Sequence, residues 1–505
     1  MLRVSIIFEL LRAHTRAFAW LIALTQGVLW WMVPSLFYGA PPGNLPLVLA
    51  IGHEFQLGSY MGPPLAFWLA NIAYIVAAMP GVYLLSQACV VTTYWAVFEL
   101  GRATVGVAHA GIAVMLMVGI MAFNLPTPEF GPAILAMPLT ALILLHFWRA
   151  AAQAKRLYWV AVAVETGLLL LTTYWGFILV VTLLAFMLAA ERGRALLGTI
   201  DPWLAGIGIV MLTFPHLIWL DEQGHVFTAE LFGVGDTLFT WHIADRMGVL
   251  ISLVLVHAGL MILVALAAGW GRIASERLPI FARSQVHPFA KCFIYTFAIA
   301  PLVLAMLVAI LVGAPDLVGW LAPFVVLSAL AVVVAAGDVI AINRQHVLAI
   351  VWGVMLAAPP IIAVLVIMLV PPLTGKPLAV TEPANAIGRY FSDAFQRRIG
   401  KALEITAGEP RLAALVALTS RPRASLYLDA TPQRSPWINT QDVQRKGAVV
   451  VWSATDTTGV PPSEIKVRFP ELTPDVPRTF DRFTVGGRPS LRIGWGIQRP
   501  AISTP

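Results

Sequence analysis

The sequence predicts an α-helical polytopic membrane protein with a small α/β domain at its C-terminal end. Three observations carry that expectation. The 505 residues are 59% hydrophobic and only 12% charged, about half the charged share of an ordinary soluble domain. Mean hydropathy is +0.81, more apolar than a soluble core requires. The charge is also unevenly spread: of 33 Lys and Arg, 15 fall in residues 1–375 and 18 in the rest. Two domains are therefore expected, a transmembrane one over 1–375 and a water-soluble one over 379–505. The net charge of +7 reads as membrane topology and not as a nucleic-acid surface.

Apolar runs near the length of a bilayer span, about 20 residues, occur near 18–39, 79–100, 105–123, 131–148, 157–173, 175–190, 203–220, 247–270, 292–313, 316–337 and 347–371. The expected count is about eleven. The basic start, MLRVSIIFELLRAHTRAFAW, has no small-residue cleavage site after it and reads as an uncleaved first helix. With the N-terminus inside, fourteen of the basic residues before 375 fall in inside loops and only Arg246 falls outside. Such a bias orients membrane helices, so the tail is expected outside, together with loops 40–78, 124–130 and 221–246. Cys89 and Cys292 lie in apolar segments. Their spacing suits neither a disulfide framework nor metal ligation.

The first outer loop reads as two interfacial helices. NLPLVLAIGHEF has Asn44 as a candidate N-cap and Pro46 in the first turn, with Leu45, Val48 and Leu49 toward lipid. GSYMGPP breaks it. PPLAFWLANIAYIV follows, with Phe67, Trp68 and Tyr74 suited to the headgroup level. In the tail, helices are expected at NAIGRYFSDAFQRRIGK, PRLAALVALTS and TQDVQRKG. Strands are expected at LEITAG, SLYLDA, AVVVWSA and LRIGWGIQRP. The alternation argues a small α/β domain with a mostly parallel sheet.

Polar groups in apolar company are the candidate site. Glu129, in FNLPTPEFGP, lies at an outer loop edge and reads as a general base, as a metal or phosphate-side ligand, or as a solvated loop acid. His53 and Glu54 end the first interfacial helix and read as headgroup or sugar contacts, or as an exposed polar face. Tyr60 packs at the interface or meets a substrate. Glu165 sits deep in the fifth span and suits an interhelix hydrogen bond better than a proton path. His109, His146 and His216 read as packing histidines. Asp221, Glu222, His225, Glu230, Asp236, His242 and Asp245 either line an entrance or are a solvated loop. No Walker A run and no GxSxG occurs, and no helix carries a chain of ionisable residues, which disfavours a transporter or flippase.

The order HEF, GSYMGPPLAFWL, ELGRATVG and TPEF, with a soluble domain on the outer side, resembles the GT-C membrane glycosyltransferases. Within them it is similar to glycosyltransferase family 39: lipid A aminoarabinose transferases, protein O-mannosyltransferases and bacterial dolichyl-phosphate-mannose-type transferases. The resemblance is carried by residues 15–220, and RASLYLDATPQRSPWINTQDVQRKGAVVVW resembles the tail of the bacterial subgroup. It implies transfer of a sugar from a polyprenyl-phosphate donor to a lipid, glycan or protein hydroxyl, at the outer face of a bacterial inner membrane. The C-terminal domain would then be periplasmic. The implied catalytic residues are Glu129 and Glu54; the implied substrate contacts are Asn44, His53, Tyr60, Pro63 and Pro64. A divalent cation is an open possibility for holding the phosphate. Several positions depart from the family pattern. Asn44 stands where the family has Asp, Gly62 where it has Lys or His, Glu129 where it has Asp, and Thr173 where it often has Lys. The departures at Asn44 and Gly62 leave a second reading, a non-catalytic relative that binds lipid-linked glycans.

Overall fold

A computed structural model describes residues 6–222, 243–269, 279–312, 318–431, 433–454, 456–484 and 489–500. His225, Glu230, Asp236 and His242 of the loop singled out above lie outside the described residues, as do Arg272 and Arg277.

Seven of the eleven apolar runs form helices long and apolar enough to cross a membrane. They are α2 (Thr15–Phe37), α4 (Leu65–Thr104), α6 (Pro132–Ala151), α10 (Asp201–Glu222), α11 (Ile243–Ala268), α12 (Pro288–Val312) and α14 (Gln345–Thr374). The short helix α1 (Ile6–Ala13) precedes them, and α3 (Leu45–His53) lies between α2 and α4. The other four runs are not single long helices. They contain α5 (Val107–Met117), α7 (Tyr158–Leu170), α8 (Gly176–Ala189) turning by 101° into α9 (Glu191–Leu197), and a 3₁₀ turn (Gly319–Phe324) followed by α13 (Ser328–Ala335). At 1.5 Å per residue, an 11–14-residue helix is about 16–21 Å long, short of a bilayer core of about 30 Å. Hydropathy reports apolar content, and it misses these breaks because the residues at them are themselves apolar.

Helix α4 is bent where the sequence changes purpose. Ala77 and Ala78 leave helical geometry, Ala78 with φ 50°. Pro80 follows, and proline fits the first turn of a helix but breaks an interior. Residues before the bend form the second helical segment of the loop between the first two spans, and those after it form the span.

The described residues form two compact units. The first is built from residues up to Met32, from Leu84–Ile218, and from the stretch ending at Ile361. The second is built from Val33–Tyr83, from the stretch starting at Trp219 and from Ile362 onward. The first unit holds an antiparallel strand pair, β1 (Ile280–Ala282) and β2 (Val339–Ala341). The second unit holds a five-stranded sheet in the order β4-β3-β5-β7-β6: β3 (Ile405–Gly408), β4 (Ser425–Leu428), β5 (Ala448–Ser453), β6 (Thr473–Phe480) and β7 (Leu491–Gln498). The expectation of a mostly parallel sheet needs correcting. Strand β3 pairs in parallel with β4 and β5, whereas β7 is antiparallel to both β5 and β6. Strand β6 has no counterpart in the sequence reading, because Pro474 and Pro477 obscure it. Proline is tolerated on an edge strand, and β6 is one, with an irregularity between Asp475 and Arg478.

Side chains alternate across the pleat, so each strand serves two cores. On one face Leu426, Val449, Val451, Ile493 and Trp495 meet α15 (Ala384–Ile399) and α16 (Pro410–Thr419). On the other, Ile405, Tyr427, Val450 and Trp452 meet α17 (Thr440–Lys446) and α18 (Ser463–Arg468).

Helix α3 joins the first of these cores through Leu47 and Ala50. It does not lie with Leu45, Val48 and Leu49 toward lipid. All residues from Leu45 to Gly52 are buried, and α3 packs on α16 and β4. The apolar side chains expected to face lipid instead bury against protein, at about 2 kcal/mol each. Backbone bonds from Gly39 N (2.8 Å) and Ala40 N (3.2 Å) to Val380 O hold the loop's start. So does Arg411, which pairs with Glu382 at 2.5 Å and donates to Pro41 O at 3.3 Å.

Candidate functional site

The candidate residues fall into two patches, one in each unit. The first carries Glu129. Residues 118–131 have little regular structure, yet a run of neutral hydrogen bonds holds them. Gln26 of α2 donates from Nε2 to Phe123 O (2.5 Å) and Asn124 Oδ1 (3.1 Å). It accepts at Oε1 from the Tyr94 hydroxyl (2.9 Å). Asn124 donates to Val118 O and Ile120 O. Ser86 donates to Thr127 O, and Gln87 donates to Thr127 Oγ1 at 3.2 Å. The Thr127 hydroxyl in turn donates to Asn124 O at 2.7 Å. Gln26, Ser86, Gln87, Tyr94, Asn124 and Thr127 are all buried. Unsatisfied, such groups would each cost about 1–3 kcal/mol; joined, they fix the loop. Thr127 and Phe130 are fully buried on either side of Glu129, and Glu129 itself is exposed. The result is an exposed carboxylate on a loop fixed by buried hydrogen bonds.

The second patch carries His53 and Glu54. Both sit at the C-terminal end of α3, partly buried. Arg423, from the segment leading into β4, reaches this helix. Its Nη2 donates to Leu49 O at 3.0 Å and its Nη1 to Asn71 Oδ1 at 2.8 Å. The guanidinium lies over the Tyr74 ring, 5.0 Å from its centre, an attractive cation–π placement. Burial pushes the Glu54 carboxyl up from its usual value, against the pull of the Ser425 hydroxyl bond and of the Arg423 and Lys446 charges. Glu54 Oε1 is buried with no hydrogen-bond partner. Burial, helped by Arg423, holds His53 below its usual value. At neutral pH His53 is therefore an uncharged imidazole, able to donate or accept but not to pair with phosphate by charge.

Asn44 opens α3, whose length of about 13 Å separates it from Glu54. The expected side-chain cap is not made; Asn44 O accepts from Val48 N at 3.0 Å instead. Tyr60 lies on a tight turn in which Ser59 and Gly62 exchange backbone bonds of 3.0 Å, with Arg434 5.5 Å from its ring centre. Gly62 has φ +125°, a conformation that L side chains rarely adopt. The departure from a family Lys or His thus goes with a backbone shape that suits glycine. Pro63 and Pro64 are buried and lead into α4. His53 and Glu54 share one environment, Tyr60 to Pro64 form the turn beyond it, and Asn44 is at the far end of the helix.

Glu165 makes the interhelix bond expected of it, to His146 Nδ1 at 2.7 Å, and His146 stacks on Tyr158. His216 bonds the Tyr174 hydroxyl at 3.2 Å. Among the described residues no group of three or more His, Cys, Asp or Glu is placed to hold a metal ion. Sequence reasoning missed Gln26, Ser86, Gln87 and Asn71, although each is an amide or hydroxyl within an apolar helix and could have been found by that signal. It also missed Arg423, which no local pattern marks.

Residues 61–219 match the family model described as dolichyl-phosphate-mannose-protein mannosyltransferase. Two crystal structures of ArnT from Cupriavidus metallidurans resemble the whole chain. The one bound to undecaprenyl phosphate has a TM-score of 0.56 at 11% identity, covering 96% of this chain and 98% of that one. The apo form has a TM-score of 0.50 at 13% identity, with the same coverage. The fold of this chain is similar to that of ArnT. Among its described residues the chain has multiple apolar helices and a small C-terminal sheet domain. No curated protein matches the sequence significantly.

Proposed function

We propose that this protein transfers a sugar from a polyprenyl-phosphate donor to a hydroxyl of a lipid, glycan or protein, at the outer face of a bacterial inner membrane. The C-terminal domain is then periplasmic. The observation that carries the reading is Glu129, an exposed carboxylate on a loop held by buried neutral hydrogen bonds, inside the segment that matches the mannosyltransferase model. In the reaction the acceptor oxygen bonds the anomeric carbon, and the bond from that carbon to the phosphate oxygen breaks. The phosphate leaves with the electron pair, and Glu129 takes the hydroxyl proton. The leaving group is already a phosphate, so strong acid assistance is not required. Glu54 and neutral His53 contact sugar hydroxyls by hydrogen bonds. Asn44 and Tyr60 supply further polar contacts, and Pro63 and Pro64 fix the turn. The undecaprenyl phosphate bound by the similar ArnT supports a lipid-phosphate donor. The experiment is donor turnover in proteoliposomes by the wild type and by Glu129→Gln.

A second reading, a non-catalytic protein that binds lipid-linked glycans, draws on Asn44 and Gly62. An amide replaces an acid, and a glycine at φ +125° replaces a cation. Donor binding without turnover would favour it.

A further inference from the structure

A cavity of about 140 Å³ opens in the C-terminal sheet domain. Its polar wall is Glu404, Arg423, Ser425, Asp442 and Lys446; its apolar wall is Ile405, Ile438 and Trp437. The space is roughly ten times what one water needs. We infer that this cavity binds one neutral sugar ring, an exposed residue of a glycan.

The walls decide the ligand class. Two cations face two acids, and Glu54 adds a third acid through Ser425. Lys446 is paired with Glu404 at 2.8 Å, and Asp442 with Arg445 at 2.7 Å. No positive excess remains to hold a phosphate or a carboxylate. Both kinds of hydrogen-bonding group are present: carboxylates accept, while ammonium and guanidinium groups donate. A ring of hydroxyls needs that mixture, since each hydroxyl donates and accepts. Trp437 Nε1 already donates to Leu426 O at 3.0 Å. Only the indole face remains for a ligand, and a flat aromatic face suits the apolar face of a pyranose. Ile405 and Ile438, both buried, complete a wall that offers no further polar partner. The inference rests on the cavity's own walls and stands whether or not the chain turns over a donor.

The test is equilibrium binding of the full chain in detergent micelles to the methyl glycosides of glucose, galactose, mannose and N-acetylglucosamine, with inorganic phosphate as competitor. At least one glycoside binds saturably, phosphate does not displace it, and Glu404→Gln and Lys446→Gln each weaken it about five-fold, the worth of one hydrogen bond. Glu404 and Lys446 have half-exposed side chains, so the folded state tolerates both changes. Trp437→Leu removes the ring face and abolishes binding. No saturable binding by any of the four would overturn the inference. So would binding that both charge substitutions leave unchanged, or phosphate occupying the site in place of sugar.

Discussion

The Glu129 loop and the His53–Glu54 end of α3 are both irregular connections that carry acids, and they are held by opposite means. The first is fixed by amides and hydroxyls from spans that precede it, at separations of 40 to 98 residues. The second is fixed by a guanidinium 374 residues away from the carbonyl it meets. Neutral bonds inside a helical bundle hold a loop at any pH. A charge brought in from the sheet domain also acts on its titratable neighbours: after burial, the larger cause, Arg423 pulls both Glu54 and His53 downward. The first arrangement presents an exposed carboxylate on a fixed loop. The second makes the loop that carries α3 part of the same unit as the C-terminal sheet, so losing the tail would disturb α3.

The largest effect that would test this contrast is Arg423→Ala. It removes the donor to Leu49 O and to the Asn71 side chain, at a cost of about 1.5–3 kcal/mol for each of the two charge-assisted bonds. Equilibrium unfolding in detergent would show it, and Arg423→Lys recovers only part, because a point charge cannot make the two directed bonds. A loss below about 1 kcal/mol would mean that α3 is held by its apolar contacts alone.

Gln26→Ala comes next. It removes the donor to Phe123 O and Asn124 and the acceptor of Tyr94, for a cost of about 1–3 kcal/mol. That loss is the same at pH 5 and pH 8, since none of the broken bonds involves a charge. A pH-dependent loss would contradict the neutral-network account. Gly62→Lys, which restores the family's cation, is strained at φ +125° and costs about 1–3 kcal/mol. An unchanged unfolding midpoint would show that the turn can relax.

The smallest effects are in pH dependence, and the signs differ within the pair. Glu54 is raised from 4.5, so its contribution to stability is fully present below 4.5 and is lost as pH rises through the raised value. His53 is lowered from 6.5, so its contribution is present above 6.5 and is lost as pH falls through the lowered value. Glu54→Gln flattens the first slope and His53→Gln the second. Unfolding measured at several pH values separates them.

Much of the fold was legible. The seven long spans, the bend before residue 79 and most of the tail's alternating elements follow from apolar runs, proline placement and periodicity. Four short segments were not legible, because an apolar run looks the same whether it is one helix or two. The burial of α3 was hidden for a related reason: an apolar helix face does not say whether lipid or protein will cover it. Of the candidate residues, Glu129 was marked by an acid among prolines, and Glu54 by ending an apolar helix. Arg423 was invisible, since its role depends on a contact more than 350 residues distant.

The most direct measurement is release of free polyprenyl phosphate from a panel of polyprenyl-phosphate sugars in proteoliposomes, with acceptor lipids present. Wild type and Glu129→Gln would be compared at equal folded protein. The account predicts release by the wild type and a fall of about 10²–10⁴-fold in the variant, the range for losing a positioned general base. Equal release by both would contradict the role of Glu129. Donor binding with no release by either would show a binding protein on a transferase fold.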